Sequence, residues 1–417
     1  MLILIGISNA QPTLPSGWQS YQNITIGSWS GASSQYVQQM VNLTESNYAG
    51  LVYNGNQANF EFTYGNGNII PAWIESNSSG VLTIWLNITN TTTNVYLDIF
   101  NSTTNTLSSS GTSGIGEAPE LSSTYGGKDD GESVFPAYFN GDTSTSDFSI
   151  SSASLTQTTA TFSNGATINV LKYETTAITQ STTALVYTGS SVGSGNWIAE
   201  SSFASDGSST DLGVAGLGQN SGSGTSDNLI QVDTQFSSSY FAESYVSSSS
   251  LVNDLNQGGT TTTSFRYGAV YDNASSSYYG YIAPQLYSTS GGYSGTVTTN
   301  PVSSISPLYF AVNPVTASSG YWVEFNWARV RAYPPNGVMP SVTFGSVQES
   351  YTPPTVSVSP TSQTLDIPQS ITLTATVSGG TSPYSYQWYN DTTGTPSAVS
   401  GATASTYTVA KLMILGL

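Results

Sequence analysis

Charge is scarce in this chain and gathers in a few places. Only 7% of the 417 residues are charged, yet Glu117, Glu120, Lys128, Asp129, Asp130 and Glu132 all fall within "GEAPELSSTYGGKDDGE". Two of the six bases, Arg329 and Arg331, stand two apart in "YWVEFNWARVRAY", whose alternation predicts a strand. Side chains two apart on a strand share a face, so both guanidinium groups project together. If the acidic stretch opens a domain that this strand closes, its two ends lie near each other. Asp129, Asp130 and Glu132 are then the expected partners, in a structural clasp built on bidentate arginine–carboxylate contacts. Calcium is the rival use of these acids. "KDDGE" and Asp206 to Asp211 in "DGSSTD" offer hard oxygen donors, although neither has the spacing of a helix–loop–helix calcium site. Solvated Asp- and Gly-rich turns are the plainer reading of both.

A second chemistry centres on Glu324, which lies among aromatic residues that could stack on sugar rings. Glycoside hydrolysis needs two carboxylates about 5 to 9 Å apart. Glu324 has no evident second acid, and pairing with a nearby Arg or facing solvent is its plainer role. Trp197, Trp322 and Trp327, with Tyr240, Tyr267 and Tyr281, could form a carbohydrate platform around it. In a β-sandwich such aromatics are first of all core.

The absence of Cys and His removes thiol nucleophiles, histidine bases, Ser-His-Asp triads and Cys/His zinc sites together. Twenty-four acids against six bases give a formal charge of −18, which leaves no basic surface for nucleic acid. No cofactor is implied, and calcium is the one ion considered. So few bases also mean little positive charge when the acids are protonated, which predicts a fold that survives acid.

The elements that must position these residues read as all-β. In "GVLTIWLNI" Leu82, Ile84, Leu86 and Ile88 take one face, with Thr83, Trp85 and Asn87 on the other, outward one. Asn54-Gly55 and Asn66-Gly67 mark hairpin turns. Residues 17–103 are expected to form a small N-terminal sandwich, and 104–116 a Ser/Thr/Gly-rich linker. Residues 117–348 form a larger sandwich or jelly roll of many strands without helices. Residues 354–417 make a third unit, in which Tyr384, Tyr386 and Trp388 resemble the buried-Trp strand of immunoglobulin-like and polycystic-kidney-disease-type repeats. Four or five strands can be counted there against about seven in a full sandwich, so this unit is expected to be incomplete.

"MLILIGISNA" reads as the remnant of a secretory signal over residues 1–10, with a short apolar strand as the alternative. No stretch reaches the roughly 20 apolar residues of a membrane span. Export is also suggested by glycosylation sequons at Asn23, Asn42, Asn77, Asn87, Asn90, Asn101, Asn273 and Asn390.

"GEAPELSSTYGGKDDGESVF" at a junction of two β units resembles a family of archaeal surface proteins. In these an uncharacterised N-terminal domain precedes a concanavalin-like lectin domain. "YNGNQANFEFTYGNGNIIPAWIES", "LTIWLNI" and "NVYLDIF" fit the first domain, and "WVEFNWARVRAYPPNGVMPSVTFG" the last strand and exit of the second. The resemblance covers most of residues 17–348, apart from a divergent middle at about 140–300. It implies an extracellular glycoprotein for adhesion, envelope structure or glycan binding, with glycans or other surface proteins as partners. A glycoside hydrolase and a structural subunit of a surface layer or filament are the alternatives.

Overall fold

The computed structural model describes residues 12–32, 34–44, 50–110, 113–150, 322–349, 355–379, 384–390 and 395–410 in full. It also describes Leu2–Ile3 and most of 153–205, and, between Asp211 and Asn313, backbone strands and their pairing alone. The fold is all-β, with one four-residue α-helix, Gly131–Val134, and short 3₁₀ turns among the described residues. No described helix is long and apolar enough to cross a membrane.

Residues Leu14–Val347 form one compact unit that holds two sandwiches. The smaller sandwich has two four-stranded sheets. One runs Val342–Glu349, Trp18–Ile26, Asn94–Phe100, Phe60–Thr63. The other runs Tyr36–Thr44, Val81–Thr89, Ala72–Ser78, Gly116–Glu117, the last pair being parallel. Leu82, Ile84, Leu86 and Ile88 fill its core together with Ile24, Leu97 and Phe62. The larger sandwich has two eight-stranded sheets. Thr167–Thr175, Trp322–Ala332 and Trp197–Ser205 lie side by side near the middle of one of them, and Ala137–Asn140 also pairs with Trp322–Ala332.

Two expected boundaries need correction. Residues 342–349, expected to end the large domain, return to the small one, where Gly27 N donates to Ser341 O at 2.8 Å and Gln22 Nε2 to Gly345 O at 2.7 Å. The expected linker is packed structure at both ends. Leu107 and Ile115 are buried and bridged, and Thr106 Oγ1 donates to Phe60 O. A Ser/Thr-rich composition can satisfy sheet-edge carbonyls as well as it can solvate a linker.

The other unit comprises Met1–Thr13 and Gln348–Leu417. Thr355–Ser359, Ser370–Ser378 and Thr406–Ala410 make one sheet, and Leu2–Ile3, Trp388–Asn390 and Ser397–Ala398 another. Leu2 and Ile3 pair with Tyr389 and Trp388, the short apolar strand that was the alternative to a signal remnant. Trp388 is fully buried, its indole N–H donating to Ala404 O at 2.8 Å. Ile371, Leu373 and Val377 are only half-buried, and Val356 is exposed. We expect residues 354–417 alone to bind a hydrophobic dye and to lack a cooperative melt, because an open apolar edge invites strand pairing. A sharp calorimetric transition from that segment would contradict this.

Candidate functional site

Among the described residues, one face of the large sheet that contains Trp322–Ala332 gathers buried charge. Glu200 pairs in register with Arg329 on the neighbouring strand, so the face turned away from the sandwich core holds Glu200, Arg329 and Arg331 together. Arg329 Nε and Arg331 Nε donate to Glu200 Oε2 at 2.8 and 3.0 Å, and Arg331 Nη2 to Glu200 Oε1 at 2.7 Å. The fourth charge comes from the small sandwich. Glu75 sits where Ala72–Ser78 slips register between Ile74 and Ser76, and this bulge directs its carboxylate to the arginines. Glu75 Oε1 lies 2.8 Å from Arg329 Nη2, and its Oε2 accepts from Trp85 Nε1 at 2.7 Å.

Aromatic rings close around this network. The Arg329 guanidinium carbon lies 4.7 Å from the Phe135 ring centre, 4.8 Å from those of Trp85 and Trp327, and 5.5 Å from that of Trp73. Two arginines against two glutamates leave the cluster formally neutral, as burial at 0–3% exposure demands. Burial alone would raise the Glu200 carboxyl, but Arg331 and Arg329 outweigh it and hold it below the usual range. Burial raises Glu75 despite Arg329.

The expected clasp is thus formed at its basic side by other acids. Asp129 is occupied elsewhere, with Oδ1 accepting from Trp73 Nε1 at 2.7 Å and Gly131 N at 3.0 Å. Its Oδ2 accepts from Tyr138 OH and Asn140 Nδ2, both at 2.6 Å. Asp130 accepts from Ser133 Oγ, and Glu132 is exposed. These four donors fill the lone pairs that a calcium ion at "KDDGE" would use. Among the described residues no three Asp or Glu side chains gather closely enough to hold a metal. The side chains of Asp206 and Asp211 lie outside the described residues.

Gly131 opens the short helix because the Tyr138 ring would lie 2.5 Å from any Cβ there. Beside it, Glu120 accepts from Asn326 Nδ2 at 3.0 Å and Trp327 Nε1 at 3.4 Å, while Tyr125 OH donates to Asn326 Oδ1 at 2.6 Å. The junction loop therefore lies on the large sheet's outer face and seals one edge of the buried cluster.

Further along the same face the cover ends. Lys172 pairs across the strands with Glu324, and Glu174 with Trp322. Lys172 Nζ lies 2.8 Å from Glu174 Oε2 and 5.6 Å from the Trp322 ring centre. Trp322 and Glu324 are half-buried, and the Lys172 and Glu174 side chains are 25% and 35% exposed. Burial raises the Glu324 carboxyl and Lys172 pulls it back.

Of the expected platform, Trp322 and Glu324 come together. Trp327 is sealed in the arginine box and Trp197 is buried in the large core, so neither can stack on a ligand. The side chains of Tyr240, Tyr267 and Tyr281 lie outside the described residues. Lys172 and Glu174 were missed; their signal was the alternating "NVLKYET", whose polar positions must face outward beside the closing strand.

No protein-family model matches the chain. A relative from Sulfolobus islandicus rod-shaped virus 1, an uncharacterised protein, is 35% identical over 290 residues. That match takes in 65% of this chain and 49% of the relative, so the chain spans about half the length of the curated relative it matches. Solved structures with a similar arrangement are lectin-like and related β proteins. Arcelin-5, a lectin-like defence protein from Phaseolus vulgaris, overlaps with a TM-score of 0.29 at 9% identity, over 48% of this chain and 99% of its own. A carbohydrate esterase of the Shiga toxin-encoding bacteriophage phi24B gives 0.33 at 16% identity, over 48% and 98%. A Shewanella oneidensis MR-1 protein of unknown function gives 0.34 at 13% identity, over 48% and 87%. At these TM-scores the likenesses assign nothing to this chain.

The sequons separate by environment. Asn42, Asn77, Asn101 and Asn390 are exposed. Asn87, expected to face solvent, is half-buried, and its amide nitrogen donates to Ser133 O at 3.0 Å; that of Asn90 donates to Ser34 O at 3.0 Å. Asn23 is half-buried, and Asn273 lies outside the described residues.

Proposed function

We propose that this chain is a secreted, glycosylated surface protein that binds glycans through Trp322, Glu324, Lys172 and Glu174. The observation that carries the reading is a partly exposed end of a face that, among the described residues around Arg329, is covered by the small sandwich. There an indole ring stands beside two carboxylates and an ammonium. A pyranose ring stacks its apolar face on an indole, and its hydroxyls pair with carboxylate acceptors and an ammonium donor. The surface concerned is that of an archaeal cell or of a virus that meets one, and the relative from a Sulfolobus islandicus virus supports this setting. Glycans are proposed on Asn42, Asn77, Asn101 and Asn390, whose side chains are exposed.

A hydrolase is the second reading, favoured by the raised carboxyl of Glu324, which suits a general acid. Probing a glycan array with the full chain, then assaying the ligands found for release of reducing sugar, distinguishes the two. Binding without turnover, lowered about tenfold or more in Trp322→Ala, is the expected result. Turnover abolished in Glu324→Gln would favour the enzyme. Filament growth with no glycan bound would favour a structural subunit.

A further inference from the structure

The small sandwich holds a buried acid pair that glycan binding does not use. In the sheet containing Trp18–Ile26, Asn94–Phe100 and Phe60–Thr63, one face points into the core with Ile24, Leu97, Phe60 and Phe62. Across its other face Tyr21, Asp98 and Glu61 stand in one register row. Residues opposed in antiparallel strands have Cα atoms about 4.5 to 5.5 Å apart, so the two acid side chains leave the same face as direct neighbours.

Both acids are out of water, Glu61 at 5% and Asp98 at 0% exposure. Thr63 Oγ1 donates to Asp98 Oδ2 at 2.6 Å, while Asp98 Oδ1 has no hydrogen-bond partner. Neither acid is ion-paired with a Lys or Arg among the described residues. Among the described residues the facing titratable groups are Tyr21 on Trp18–Ile26 and Tyr96 on Asn94–Phe100, whose rings lie 5.8 Å apart edge-on. The edge strand Val342–Glu349 contributes Glu349, which is exposed.

Two bare carboxylates in such a place repel each other and have lost their hydration. One proton relieves both costs. We propose that Glu61 and Asp98 share a proton, the Glu61 carboxyl donating to Asp98 Oδ1, and that losing it loosens the small sandwich. A cation is the poorer fit, because the neighbouring backbone carbonyls are engaged in the sheet and too few oxygens remain for a coordination shell.

Burial raises both acids to about 7, with Glu61 adding to the rise of Asp98. A folded-state value above the unfolded one means the folded form binds the proton more tightly. The stabilisation is therefore complete below about pH 4 and disappears as pH rises through about 7.

The test is thermal melting of the full chain from pH 4 to pH 9. The wild type is expected to lose Tm between pH 5 and pH 8. Glu61→Gln, whose amide can donate to Asp98 without titrating, is expected to shrink that loss by roughly 5 °C or more. An equal loss in both proteins overturns the proposal. So does a wild-type Tm restored at pH 8 by calcium and abolished by chelator, which would make this a cation site. Should Glu61→Gln fail to fold, wild-type amide exchange in Asn94–Phe100, corrected for its intrinsic base-catalysed rate, decides. Protection that falls by about tenfold or more from pH 5 to pH 8 supports the shared proton, and constant protection contradicts it.

Discussion

Arg329→Ala is expected to destabilise the Leu14–Val347 unit by roughly 3 to 5 kcal/mol. The change takes a cation partner from the buried Glu75 and one of two arginines from the buried Glu200, which keeps Arg331. It also empties a cage walled by Trp73, Trp85, Trp327 and Phe135, so a cavity cost adds to the electrostatic one. Arg329→Lys should rescue little. A single ammonium cannot reach both Glu75 and Glu200 in the planar fork geometry. Because the two acids come from different sandwiches, the loss should appear as separate melting of the two parts. Thermal melts of Arg329→Ala, Glu75→Gln and the double mutant test this. Strongly non-additive losses are expected, since each single change already breaks the same Arg329–Glu75 pair. Additive losses would show that the two groups are not coupled.

Asp129→Ala comes next in expected effect. This one carboxylate accepts from an indole N–H, a phenol, an amide and a backbone N–H within a single residue's reach. Hydrogen bonds to a charged acceptor are worth about 1.5 to 3 kcal/mol each, and donors left buried without a partner cost about 1 to 3 kcal/mol. A loss of roughly 3 to 5 kcal/mol follows after allowing for some entry of water. Asp129→Asn should cost less, since its carbonyl keeps two donors satisfied while its amide opposes the others. Urea melts monitored by tryptophan fluorescence report it, because Trp73 is one of the donors. A midpoint for Asp129→Ala within error of the wild type would contradict the role assigned here.

Much of this was legible in the strand periodicity. Leu82, Ile84, Leu86 and Ile88 face the core as their alternation requires, and Arg329 and Arg331 do share a face. The partners of those arginines were not legible. Glu200 and Glu75 lie far off in sequence, and only strand order and one bulge bring them in. The same gap explains Asn87. A period of two tells which side chains leave one face but not whether a second sandwich covers that face. Trp73 and Trp85 were the available signal, because two large indoles opposed on a supposedly solvated face need cover. The return of Val342–Glu349 to the small sandwich had no local signature, since an edge strand looks alike whichever sheet accepts it.

The open end of the outer face, at Trp322, is the place proposed for a glycan. The most direct measurement is a calorimetric titration of wild type and Trp322→Ala with one oligosaccharide selected on the array, run at a pH where both proteins are folded. We predict affinity reduced about tenfold or more in Trp322→Ala, with its melting temperature nearly unchanged because Trp322 is only half-buried. Equal affinity in the two proteins would place the ligand elsewhere and contradict the account.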